Sequence, residues 1–227
     1  MSLQHRETPV MSGNEVDRLT QLILEAFPTL EPDSRRVAVQ LYRLLARGQS
    51  VARQTLADAA SISLERVNGI LQGWSGVYYD GDDIQGFWGI TPREFSKHLY
   101  TSKGQTSYAW CAWDTLFLPE ILGDRAQIQS TCPESGEIVQ LEVSPDGVLQ
   151  VEPPSAVMSI LEPADDVTED IVARFCHFVF FFPSMEVGAN WIAKNPGTRL
   201  ISIEDAFELG KRRNRGQFKE ALDIAAP

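Results

Sequence analysis

The run Tyr108-Ala109-Trp110-Cys111-Ala112-Trp113-Asp114-Thr115-Leu116 constrains the fold more than any other stretch of this chain. A segment this aromatic and apolar has to be buried, yet it carries a thiol and a carboxylate three residues apart. On a helix that spacing puts both side chains on one face, roughly 5–6 Å apart at Cβ. A buried carboxylate is costly unless a neighbour satisfies or uses it. Two readings follow. Either a core cysteine lies beside a structural aspartate that caps or anchors a helix, or the two groups form a reactive pair and the fold has to supply their partners.

With 227 residues, 43% of them hydrophobic, the chain can bury a sizeable core in one large or two small domains. Its formal charge of −11 argues against a broad surface for nucleic-acid phosphates or anionic membranes, which needs clustered Lys and Arg. Residues 1–14 lack the basic start and apolar centre of a signal peptide. No run approaches the roughly 20 apolar residues of a membrane span, so a cytoplasmic protein is expected. Three widely spaced cysteines, Cys111, Cys132 and Cys176, suit neither a disulfide framework nor a structural zinc knuckle, and free thiols are expected.

Read in order, residues 1–13 form a flexible tail. Helices are expected from Asn14 to Pro28, after a cap at Asp33 to about Gly48, around Gln54–Ala60, and from Leu64 to Trp74 under a Ser63 cap. Val77–Tyr79 and Ile84–Ile90 flank an acidic turn and read as a β-hairpin. Residues 14–92 thus have the order of a winged helix-turn-helix domain. Its residues disagree with DNA binding: Glu65, Arg66, Asn68 and Gln72 supply one cation to the would-be recognition helix, and Asp80, Asp82 and Asp83 make the wing tip acidic. The module is expected to pack against the rest of the chain and to bind no nucleic acid.

The remainder, 93–227, reads as a catalytic α+β domain with a mixed or antiparallel β core flanked by helices. Pro92–Tyr100 crosses between the domains, and His98 there is expected at the surface or in a hydrogen bond, without chemistry. Ser107–Leu122 is expected as one helix carrying Cys111 and Asp114, broken by Pro119. Gln127–Val143 forms a hairpin with Cys132 at a strand end, followed by strands at 148–151 and 156–161 and an acidic loop at 165–170. Phe175–Phe182 reads as a strand buried on both faces. Helices near Val187–Lys194 and after Ser202 complete the chain.

If Cys176 on such a strand faces Cys111, then His177 faces away. That disfavours a Cys-His hydrolase and leaves two thiols and one carboxylate. Soft thiolates suit soft metals. A thiol-based sensor that holds a soft ion needs only the ligands. Breaking a bond would need a proton donor as well.

The Tyr108–Thr115 run, Phe175-Cys176-His177, the hairpin cysteine Cys132 and the helical start together resemble the bacterial organomercurial (alkylmercury) lyases, from about Val16 to Phe218. The resemblance implies protonolysis of a carbon–mercury bond to a hydrocarbon and Hg(II), with Cys111, Asp114 and Cys176 as the catalytic and mercury-holding set and Cys132 as structural. Some members carry a further cysteine where this chain has His177. Trp110, Trp113 and Phe178 are expected to line the pocket. The resemblance further implies no resident cofactor, organomercury substrates, low-molecular-weight thiols for turnover, and mercuric reductase as the acceptor of Hg(II).

Overall fold

The computed structural model describes residues 10–27, 29–163 and 170–224. Most of the expected tail, Pro28 and most of the acidic loop lie outside these. The chain begins with four helices: α1 (Gly13–Ala26), α2 (Pro32–Leu45), α3 (Arg53–Ala60) and α4 (Leu64–Gln72). Each is amphipathic, and α2 is the most deeply buried, with Val37, Leu41, Tyr42 and Leu45 all inaccessible. Pro32 starts α2, so Glu31 rather than Asp33 sits at its N-cap.

Among the described residues eleven strands follow the first helices, and every pairing among them is antiparallel. β1 (Val77–Asp80), β2 (Asp83–Phe87), β3 (Ile90–Thr91), β4 (His98–Ser102), β5 (Gln105–Ala109), β6 (Ala126–Thr131), β7 (Ile138–Ser144) and β8 (Gly147–Glu152) form one sheet in the order β1-β2-β3-β5-β4-β6-β7-β8. β9 (Val157–Leu161) stands between β10 (Phe181–Phe182) and β11 (Thr198–Ser202) in a second, three-stranded sheet. Helix α5 (Asp114–Leu122) follows β5. The helices α6 (Ile171–Arg174), α7 (Met185–Ile192) and α8 (Ile203–Phe218) complete the architecture, with a short 3₁₀ turn at Cys176–Phe178. The protein is therefore α+β.

The wing-like hairpin is not a separate appendage. β3 pairs with β5 through Ile90–Ala109 and Thr91–Tyr108, so the sheet runs straight across residue 92. His98, expected on a crossing segment, lies inside this sheet with its Nδ1 2.8 Å from Ser130 Oγ. Burial holds it down at about 3, so it stays neutral.

Two other expectations fail. Ser107–Leu122 is not one helix: Ser107–Ala109 belongs to β5, where backbone pairing to β3 and β4 outweighs helical periodicity, and the helix begins only at Asp114. Phe175–Phe182 is not a continuous strand. It is a 3₁₀ turn followed by two strand residues, because β9 offers it only the Met158 and Val157 register positions. The aromatic density of this run reflects core packing of an irregular segment rather than a central strand.

Candidate active site

Four segments meet behind the junction of β5 and α5. Trp110 N–H donates to Gly89 O at 3.0 Å, tying the Cys111 turn to the β2–β3 turn. Ala112 N–H donates to Val179 O at 3.1 Å, tying the same turn to the segment of Cys176. The second of these bonds brings together cysteines 65 positions apart in the chain. The ligand atoms of Cys111, Asp114 and Cys176 all lie within 4.8 Å of one another, and all three residues are buried.

Asp114 reaches Cys111 by a different route from the helical one. It opens α5, and its carboxylate Oδ2 accepts the Cys111 backbone N–H at 2.7 Å. The three-residue spacing therefore encodes a loop that folds back onto the first turn of a helix, where an acid also complements the helix dipole. Cys176 sits in the 3₁₀ turn, and the exposed His177 turns away from it against Phe178, with ring centroids 5.5 Å apart. The strand alternation that predicted this does not exist, but the direction of His177 is the same.

The site is buried and its titration is distorted accordingly. Burial pushes the Asp114 carboxyl up to about 7, against hydrogen bonds from the Cys111 thiol and backbone and the positive charge of Arg213, which pull it down. Burial pushes the Cys111 thiol well above its usual range, helped by its hydrogen bond to Cys176 and by the Asp114 charge. For Cys176 the hydrogen bond with Cys111 pulls downward, but burial and the Asp114 charge together leave it raised. Near neutral pH both thiols hold their protons, while the carboxyl stands close to half-protonated. That is the state in which it can both accept and give a proton.

The space beside these groups is about 10 Å³, the room of roughly one water molecule, walled by Trp88, Trp110, Trp113, Phe117 and Phe175 among others. Trp110 and Trp113 both belong to this lining. Phe178 does not. It packs against the separate cluster of Cys132, Val157, Phe182 and Trp191, because the 3₁₀ turn rotates it away from Cys176. Cys132 itself lies in that cluster, its sulfur accepting the Ser135 N–H at 3.4 Å, outside the cavity.

Sequence reasoning missed Arg213 and Gly89. Arg213 lines the cavity and is buried, its guanidinium over Phe117 at 4.7 Å and Phe218 at 4.9 Å, with Nη1 donating to Asn214 Oδ1 and Nε without a partner. It is a buried cation facing a site that gains negative charge when its thiols ionise. The signal was available: Ala206, Gly210, Arg213 and Gln217 recur at helical spacing on the buried stripe of α8.

Gly89 adopts φ +113, and a Cβ there would lie 2.6 Å from Asp114 Oδ1. Backbone therefore presses against the carboxylate where no side chain fits. Gly89→Ala is expected to lose about 2 kcal/mol or more in urea denaturation. Gly81→Ala, also at positive φ (+61) but with nothing within 4 Å, should lose only about 1 kcal/mol. Equal losses would mean that Gly89 does not confine Asp114.

Comparison with known proteins bears on this geometry. The family model described as alkylmercury lyase matches residues 93–213. The chain is 38% identical over 171 residues to an alkylmercury lyase of Bacillus cereus, covering 75% of this chain and 77% of that protein. It is 39% identical over 173 residues to an alkylmercury lyase of Pseudomonas putida, covering 76% and 80%. Among solved structures, the crystal structure of the mercury-bound form of MerB2 superposes with a TM-score of 0.72 at 20% identity, covering 92% of this chain and 99% of that one, which speaks to the fold alone.

Proposed function

The chain belongs to the alkylmercury lyase family, and from that premise we propose that it cleaves organomercurials by protonolysis with Cys111, Cys176 and Asp114 as the reacting groups. The observation that carries this reading is the buried convergence of two sulfurs and one carboxylate within 4.8 Å.

In the first step one thiol captures R–Hg⁺, forming an S–Hg bond and releasing its proton. The second sulfur then adds to the metal as its own proton passes to Asp114. Donation from two thiolates raises electron density on the carbon, and Asp114 delivers the proton there as the carbon–mercury bond breaks. The products are R–H and Hg²⁺ held by two thiolates, with one proton released overall. Arg213 offsets the negative charge that the two thiolates and the carboxylate bring to the cavity. A two-thiolate complex dissociates slowly, so turnover depends on ligand exchange with low-molecular-weight thiols or with a cysteine pair of mercuric reductase. No resident cofactor enters the scheme. We place the activity in the cytoplasm, since both reacting cysteines must stay free. Among the described residues no helix is long and apolar enough to cross a membrane.

The order α2, α3, α4 and then the β1–β2 hairpin supports a winged-helix-like reading of the N-terminal part, used here to roof the site rather than to hold DNA. Phe87 and Trp88 belong to this part, and Trp88 also lines the cavity.

The test is phenylmercury with and without excess thiol, following benzene by gas chromatography. About one equivalent of benzene per protein is expected without thiol and many with it. Mercury retained with no benzene released would reduce the protein to a metal-holding one.

A further inference from the structure

No aryl or longer alkyl group fits a space of about 10 Å³, and Cys111 is wholly inaccessible, so a wall of the cavity has to give way for such a substrate to react. One neighbouring space shares three wall residues with it. A cleft of about 310 Å³ is lined by Glu25, Ala26, Gly73, Trp74 and Ser75 together with Phe27, Trp88 and Ile171, and the last three also line the cavity. Its size is at the lower end for small-molecule sites, and aromatic rings line it beside the polar Glu25 and Ser75.

The three partition residues are not equally free. Trp88 is a fixed post: its Nε1 donates to Ser75 O at 2.7 Å, its ring stacks on Phe87 at 4.5 Å, and its carbonyl accepts from Tyr42 Oη at 2.7 Å. Phe27 and Ile171 are half-buried and end their respective helices, one following α1 and the other opening α6. Packing alone holds the Ile171 side chain, and Phe27 adds to its packing one contact, the Arg213 guanidinium 5.4 Å from its ring centroid. The other cavity neighbour that shares two walls leads past Arg213, whose guanidinium is clamped by aromatic rings.

We propose that the cleft between the end of α1, the turn after α4 and the start of α6 receives the organic group of the substrate once Phe27 and Ile171 swing aside, and that it sets the preference among alkyl and aryl mercurials. This rests on the lyase reading above. The reacting mercury stays with the sulfurs, while the carbon chain or ring occupies the cleft. Trp74 and Trp88 offer an aryl group faces to pack on.

Gly73 allows a direct test because it has an ordinary φ and a Cβ there would meet only carbonyl oxygens at 3.5 and 3.9 Å. Gly73→Leu therefore fills the cleft without straining the backbone. Its kcat/KM for phenylmercury is expected to fall about tenfold or more, and that for methylmercury less than about threefold. Ile171→Ala, which widens the partition, is expected to shift the phenyl-to-methyl ratio the other way by about threefold or more. Thermal melts establish that both variants fold, and either one alone decides the matter. A ratio unchanged in the folded variants, or both substrates falling alike, overturns the assignment. Wild-type protein that releases no hydrocarbon from either compound overturns the lyase reading instead.

Discussion

Cys111→Ser and Cys176→Ser are each expected to lower hydrocarbon release by about 10³-fold or more, because on the proposed mechanism the two sulfurs act as one unit and neither alone weakens the carbon–mercury bond enough. A serine hydroxyl has nearly the size of the thiol, so a buried site of this kind should fold around it. What it lacks is a soft, ionisable donor. The informative part of the result is what remains. Each variant keeps one thiol of the pair, besides Cys132, and should still capture R–Hg⁺ there, giving an organomercury adduct by mass spectrometry that persists with its carbon–mercury bond intact. Cys132→Ser is the contrast, expected to change turnover less than about threefold, because that sulfur sits in the Trp191 cluster outside the cavity. If Cys176→Ser keeps wild-type turnover, the second sulfur does not enter the reaction and the mechanism falls.

How much of this site was legible before the coordinates depends on what kind of information placed each group. The cysteine and aspartate of residues 111–114 were visible because burial and ionisable chemistry conflict there, and that conflict is a property of composition. The geometry that resolves it was not visible. Helical spacing and a loop folded back on a helix start both put residues i and i+3 in reach of each other, and only strand pairing of Ser107–Ala109 decides between them. Likewise the Phe175–Phe182 run announced burial correctly but not its conformation. An unbroken apolar sequence is compatible with any segment that has no solvent-facing side, and here it serves a 3₁₀ turn. The helical start was read almost residue by residue, since amphipathic helices carry their own caps and periodicity. Its fusion to the rest of the eight-stranded sheet through β3 and β5 was not, because two-residue strands leave no pattern to read. Arg213 and Gly89 share the same obscurity: a cation on a buried stripe and a glycine in a turn become meaningful only once something is known to face them.

Asp114→Asn separates function from stability more sharply than any other change to this protein. The amide oxygen can still accept the Cys111 N–H, so the loop closure at the start of α5 should survive. The proton donor is gone, and hydrocarbon release should fall by about 10²–10⁴-fold while mercury capture persists. Stability should move the opposite way. The folded carboxyl titrates at about 7 against 3.8 for an ordinary aspartate, so the folded state binds this proton more tightly than the unfolded state does. As pH rises from about 4 through 7 the wild type therefore loses stability, on the order of a few kcal/mol once the carboxylate is ionised, whereas the asparagine variant loses none at this position. The expected result is a variant that melts higher than wild type at pH 8 and at about the same temperature at pH 4. A structural aspartate, kept for its cap, would give the reverse: an asparagine variant less stable at pH 8 and little changed in turnover. On the proposed mechanism, a carboxylate that burial disfavours in the ionised state, within reach of two thiols, is kept for the proton it gives.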